Sequence, residues 1–93
     1  MSQIDATIFD DYGIPAHMQQ SLLDWINKGW FPGSFLSAVL ENNFMAAVGS
    51  ADSINAQRLK EYAQFIYNEV PSACHGSKEK VTAWQERFAK AAA

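Results

Sequence analysis

Apolar residues recur along this chain at spacings of three and four, and Pro and Gly interrupt them at points that cut the sequence into four helical segments. Met18, Leu22, Trp25 and Ile26 share one face of a segment that opens at Pro15, suited to a first helical turn. It closes at Gly29, which accepts the left-handed cap, so a first helix is predicted over roughly 15–28. Trp30, Phe31, Pro32 and Gly33 then form a compact connection. Ser34 is placed to cap a second helix over 34–48, where Phe35, Leu36, Val39, Leu40 and Met45 make a broad apolar face that Gly49 ends. Ser50, Asp52 and Ser53 compete to cap a third over 52–69. In it Leu59, Tyr62, Ala63, Ile66 and Val70 lie on one stripe, and Arg58, Lys60, Glu61 and Gln64 lie off it. Pro71 stops this helix because it drives its predecessor out of the helical region. After a link from Ser72 to Gly76, Ser77 caps a fourth helix over 77–90 carrying Val81, Trp84 and Phe88.

Ahead of these, Ile4, Ala6 and Ile8 alternate and are followed by Asp10, Asp11 and Gly13, which predicts a short extended arm over 1–14 docked on a neighbour. Four helices joined by short turns define the expected fold: all-α, a compact bundle in a single domain over 1–93. Phe9, Tyr12, Trp30 and Phe31 fall outside the stripes that build this core. Two readings stand open for them, a satellite core cluster or a contact with another copy or a partner.

Composition narrows the function classes. Ninety-three residues, 48% hydrophobic and 13% aromatic, make one small core. That excludes multi-domain enzymes and dedicated dinucleotide-binding folds. A net charge of −3 without a basic stripe argues against nucleic-acid binding. Apolar runs are too short for a membrane span, and Met1 to Asp11 lacks a basic start and apolar run, so no signal peptide is expected. The lone Cys74 suits a reducing compartment, and a cytoplasm is the expected location.

Candidate chemistry is sparse. His17, Cys74 and His75 are too few and too irregularly spaced for a metal centre, and a Cys74 nucleophile would need His17 as its base; a buried thiol and a surface histidine are the simpler reading. Asp10 and Asp11 are adjacent and cannot flank a substrate, the glutamates are scattered, and no nucleophile elbow, phosphate loop or zincin motif occurs. The chain therefore reads as a non-enzymatic binding protein without metal or cofactor. Gly33-Ser34, Gly49-Ser50 and Gly76-Ser77 recur at helix starts, where free N–H groups, backbone access and a hydroxyl can cradle an anion. Equally, Gly-Ser is an ordinary way to end one helix and cap the next. Around them Trp30, Phe35, Tyr67 and His75 can stack on a base, and Asn42, Asn68 and Glu69 can bond its edge. The candidate ligand site thus comprises Trp30, Pro32, Gly33, Ser34, Phe35, Tyr67, Asn68, Glu69, His75, Gly76 and Ser77, with bracing of the helix end as the competing role for Asn68 and Glu69.

The ordered string Ile14-Pro15-Ala16-His17-Met18, Pro32-Gly33-Ser34-Phe35-Leu36 with Ala38-Val39-Leu40, Ala51-Asp52 with Asn55, Tyr67-Asn68-Glu69 with Pro71, Cys74 with Gly76-Ser77, and Ala83-Trp84 resembles a family of small, largely uncharacterised phage and prophage proteins. The likeness covers nearly all of the chain after Tyr12. Trp30-Phe31 and Asn43 depart from it, where a less aromatic pair and an Asp are expected. The resemblance implies stoichiometric binding in an anti-defence setting. The first target is a nucleotide-derived immune signal, sequestered in a pocket between subunits of a homo-oligomer. The alternative is a host protein, inhibited through exposed aromatics; a minor morphogenetic or regulatory role is a third possibility.

Overall fold

The computed structural model describes residues 6–92, and every regular element among them is helical. In chain order these are α1 (Ala6–Tyr12), α2 (Ala16–Lys28), α3 (Ser34–Leu40), α4 (Phe44–Ser50), α5 (Ser53–Ala56), α6 (Leu59–Glu69) and α7 (Lys78–Ala92), with a 3-10 turn at Ser72–Cys74 ahead of α7. The all-α class follows the periodicity, but the division into four helices does not hold. The segment over 34–48 breaks after Leu40 because Asn42 takes a left-handed conformation, φ 63°, and Asn43 restarts the chain by accepting the Ala46 N–H on its side chain at 3.2 Å. Backbone bonds from Asn42 N–H to the Val39 carbonyl and from Asn43 N–H to the Ala38 carbonyl close the first helix in a Schellman-type cap. The segment over 52–69 likewise divides at Gln57 and Arg58.

Residues 1–5 of the expected arm lie outside the described part of the chain. The remainder is a correction: Ala6–Tyr12 is helical, not extended. Phe9 and Tyr12, three apart, meet the same ring on α6, with centroids 5.0 and 5.5 Å from that of Phe65. Phe9 is fully buried, and the Tyr12 hydroxyl donates to Glu69 Oε2 at 2.8 Å, so α1 is clamped on α6 by packing and by one polar tie. Burial of a ring of this size is worth about 2 kcal/mol, which outweighs a weak alternating pattern.

The core gathers Leu22 and Trp25 of α2, Leu36 and Leu40 of α3, Tyr62 and Phe65 of α6, and Trp84 of α7. Its two tryptophans keep their N–H groups satisfied in sequence: Trp84 Nε1 donates to the Trp25 carbonyl at 2.8 Å, and Trp25 Nε1 donates to the Cys74 carbonyl at 3.2 Å. These bonds tie α7 to α2 and α2 to the 3-10 turn. Without them each indole would pay about 1–3 kcal/mol for a buried, unpaired donor. Tyr62 likewise donates to Asn55 Oδ1 at 2.7 Å, anchoring α5, whose own start is capped by Asp52 Oδ1 accepting from Asn55 N–H. α2 ends at Gly29 in the expected left-handed turn, φ 67°, and α7 crosses there so closely that a Cβ would stand 2.6 Å from Phe88 Cδ2. Of the aromatics outside the predicted stripes, Phe9 and Tyr12 join the core, and Trp30 and Phe31 stay 57% and 65% exposed. Met45, assigned to an apolar face by its spacing, is 77% exposed because the turn at Asn42 breaks the helical phase, and α4 presents Ala47 to the core instead.

Candidate functional groove

The proposed ligand residues separate into two groups at opposite ends of α3. Gly33 sits at its N-terminus with φ 96° and open space around it, beside buried Pro32 and exposed Ser34 and Trp30. Gly76 N–H donates to the Leu40 carbonyl at the other end, at 2.7 Å. Seven helical residues stand between, about 10 Å along the axis, and Gly76, not Gly33 or Ser34, borders the groove at the C-terminal end. Ser34 makes no side-chain cap, whereas Ser77 Oγ accepts from Lys80 N–H at 3.2 Å and caps α7; Gly49-Ser50 is the last part of α4 rather than a start. Phe35 is withdrawn into the core, edge-on to Tyr62 at 5.2 Å. Lys28 Nζ lies 4.3 Å from the Trp30 ring centre, leaving that indole a cation-covered surface residue.

At the C-terminal end of α3 the picture differs. A groove of about 510 Å³ runs between α4 and α6, floored by Ala38 and Val39 of α3. Phe44 and Ala47 form one wall; Leu59, Lys60, Ala63 and Tyr67 form the other; Asn42, Asn43, His75 and Gly76 close the end. Tyr67, His75 and Gly76, three of the candidate ligand residues, drawn from two separate segments, thus face one space. α6 divides the motif Tyr67-Asn68-Glu69 by its own geometry. Tyr67 lines the groove, 84% exposed, while Glu69 is engaged by Tyr12 on the α1 side, a tie between two helices. Asn68 is exposed beside that same Tyr12 hydroxyl.

The electrostatics of the groove are simple. Lys60 is the charged residue of its lining, and no carboxylate lines it. Lys80 folds back over Gly76, its Nζ 3.7 Å from where a Cβ would stand. Partial burial, and then the Lys80 charge, hold the His75 pKa below its ordinary value against a hydrogen bond to the Val70 backbone that favours the cation. His75 is therefore a neutral ring at neutral pH, available to stack or to exchange one hydrogen bond. Tyr67 and His75 offer flat faces, Asn42 and Asn43 offer amide edges, and Lys60 supplies a positive charge within the lining, with Lys80 outside it beside Gly76.

Other candidate chemistry is spent on structure. Cys74 is fully buried, its Sγ donates to the Pro71 carbonyl at 3.2 Å, and burial pushes its thiol up to about 11, so it is no nucleophile. His17 is exposed and shares a 3.3 Å contact with Asp52, whose carboxyl is held below its ordinary value first by the Asn55 N–H. Among the described residues no cluster of three or more His, Cys, Asp or Glu can hold a metal, and no helix is long and apolar enough to cross a membrane.

Sequence reasoning missed Lys60, Asn43, Phe44 and Ala63 as site residues. Ala63 belongs to the predicted core stripe and Lys60 to the solvated face; the signal available was the row Leu59, Ala63, Tyr67, one helical face in which a small residue sits between two larger ones. Comparison of the chain with protein-family models, curated proteins and solved structures finds no match.

Proposed function

We propose that this is a non-enzymatic binding protein that sequesters a small nucleotide-derived signal, the anti-defence role implied by its resemblance to phage proteins. The observation that carries this reading is the convergence of Tyr67, His75 and Gly76 with Lys60, Asn42 and Asn43 on one mostly apolar groove. Its volume of about 510 Å³ falls within the range of ligand sites, which are typically apolar with a few placed polar groups. Tyr67 stacks on the base, the asparagines bond its edge, and Lys60 with Lys80 meets the phosphate. Two cations suit a ligand with one or two phosphate charges better than a nucleoside triphosphate, which matters for a protein that must ignore abundant triphosphates.

Calorimetry with cyclic di-AMP, cyclic GMP-AMP, ADP-ribose and ATP tests it. Binding of at least one of the first three, lost in Tyr67→Ala and weakened about tenfold or more in Lys60→Glu, supports the reading. Absence of heat with all three at about 50 μM protein refutes it, since a sponge must bind far more tightly than that. Sequestration in cells is expected to fail in the same two variants.

A second reading, inhibition of a host protein, draws on a different observation: Trp30 and Phe31 are exposed side by side at the far end of α3. Large rings at low entropy cost are typical anchors of protein interfaces. If this is the working surface, Trp30→Ala with Phe31→Ala abolishes the anti-defence effect and Tyr67→Ala leaves it intact.

A further inference from the structure

α4 is an unusual surface helix. Its sequence, Phe44-Met45-Ala46-Ala47-Val48-Gly49-Ser50, holds no charge, and every residue except Ala47 is exposed. A helix without a polar face ordinarily lies inside a fold. Here Phe44 is 66%, Met45 77% and Val48 44% exposed, and Tyr67 stands bare across the groove. At roughly 200 Å² per aromatic side chain, Phe44 and Tyr67 alone leave about 300 Å² in water. With Met45 and Val48 the patch reaches roughly 500 Å², near the upper end of what monomers leave uncovered. This is over half of the roughly 800 Å² that each partner of a stable pair contributes, an apolar centre whose remainder falls to a polar rim.

We infer that α4 is a self-association surface: a second copy of this chain packs across α4 and the mouth of the adjoining groove. Ridge and groove lie side by side on one chain, so copies can cover each other with the same surface, as a closed assembly requires. A chain of net charge −3 repels itself over most orientations, but α4 carries no charge and the groove lining carries only Lys60, so this face can meet its own kind without facing carboxylates. Gly49 has open space where a Cβ would be, which permits close approach of another backbone. The groove, open on the single chain, then gains a roof; this consequence rests on the ligand reading above, whereas the association itself does not.

Sedimentation equilibrium from about 1 to 100 μM is the test, on the wild type, Met45→Lys, Val48→Lys and Trp30→Lys. Met45 and Val48 are exposed and outside the groove lining, so both variants fold, as unchanged far-ultraviolet circular dichroism verifies. The expected result is a wild-type assembly with a dissociation constant below about 10 μM, weakened at least tenfold by Met45→Lys and Val48→Lys and unaffected by Trp30→Lys. A wild type that is monomeric at 100 μM overturns the inference. So does an assembly that survives Met45→Lys, or one that Trp30→Lys dissolves instead. Calorimetry of wild type and Met45→Lys with the nucleotides named above separates the two ideas. Assembly without nucleotide binding sinks the ligand reading alone, and binding by a wild-type monomer sinks the self-association surface alone.

Discussion

Replacing Gly29 by Ala attacks the point where α2 ends and α7 crosses it. The residue has φ 67°, and an added Cβ would stand 2.6 Å from Phe88 Cδ2 and 2.9 Å from Phe88 Cγ. Two costs follow. The left-handed backbone disfavours a Cβ by about 1–2 kcal/mol, of which the lower unfolded-state entropy of Ala returns roughly 0.5. The Phe88 ring must also turn out, giving up its edge-on contact with Trp84 at 5.4 Å and part of its burial, about 1–2 kcal/mol together. The sum is about 2–3 kcal/mol, or a fall of at least 8 °C or so in Tm for a domain of this size. In a Phe88→Ala background the ring clashes are gone and only the contact with the residue 88 Cβ, at 3.0 Å, remains, so Gly29→Ala should then cost about 1 kcal/mol or slightly more. Urea unfolding of wild type, both single variants and the double variant, followed by circular dichroism, yields a coupling energy of about 1–2 kcal/mol. Strict additivity would remove the Phe88 ring from above Gly29, and a neutral Gly29→Ala would remove the left-handed turn as well.

Tyr62→Phe strands the buried Asn55 Oδ1 and should lower stability by about 1–3 kcal/mol in the same denaturation assay, more than a bare hydroxyl loss at the surface. Stability should hold up to about pH 9 and fall above it. The Cys74 thiol rises from 9.0 to about 11 and the Tyr62 phenol rises further, both chiefly through burial, so the unfolded chain loses these protons first as pH increases. A urea midpoint that stays level from pH 9 to 11, or a slope unchanged by Cys74→Ala over that window, would contradict this. His75 acts at the other end: its lowered pKa means that stability, present above its ordinary value of 6.5, declines as pH falls through it, and His75→Gln should flatten that decline. Asn42 occupies a left-handed position, so Asn42→Gly should leave the thermal midpoint unchanged or slightly raised and Asn42→Val should lower stability by about 1–2 kcal/mol.

Much of the secondary structure could be read from local spacing. The stripe of Leu22, Trp25 and Ile26, the stop at Pro71, the left-handed Gly29 and the Ser77 cap are properties of a few neighbouring residues and needed no knowledge of the rest of the chain. The turn at Asn42-Asn43 was legible in principle, since Asn both tolerates the left-handed region and caps helices, but apolar residues on both sides made a continuous helix look equally sound. The break at Gln57 and Arg58 carries no such mark. It accompanies the buried Tyr62–Asn55 bond, a contact seven residues apart that local propensity does not encode.

The sequence by itself determined an all-α class for the segments after Pro15, with aromatic residues in excess of what their stripes could bury, and the chemistry available to a site. Which aromatics were buried, and which candidates met, only the tertiary structure decided. Phe9 and Tyr12 went inward because α6 offered Phe65 to them; Trp30 stayed 57% exposed with the Lys28 ammonium over its ring. Tyr67, His75 and Gly76 came together because the Gly76 N–H is bonded to the Leu40 carbonyl, while Gly33 was carried to the other end of the same helix. Periodicity records which face of a helix is apolar; the packing of those faces against one another, a property of the whole chain, decides which face remains in water.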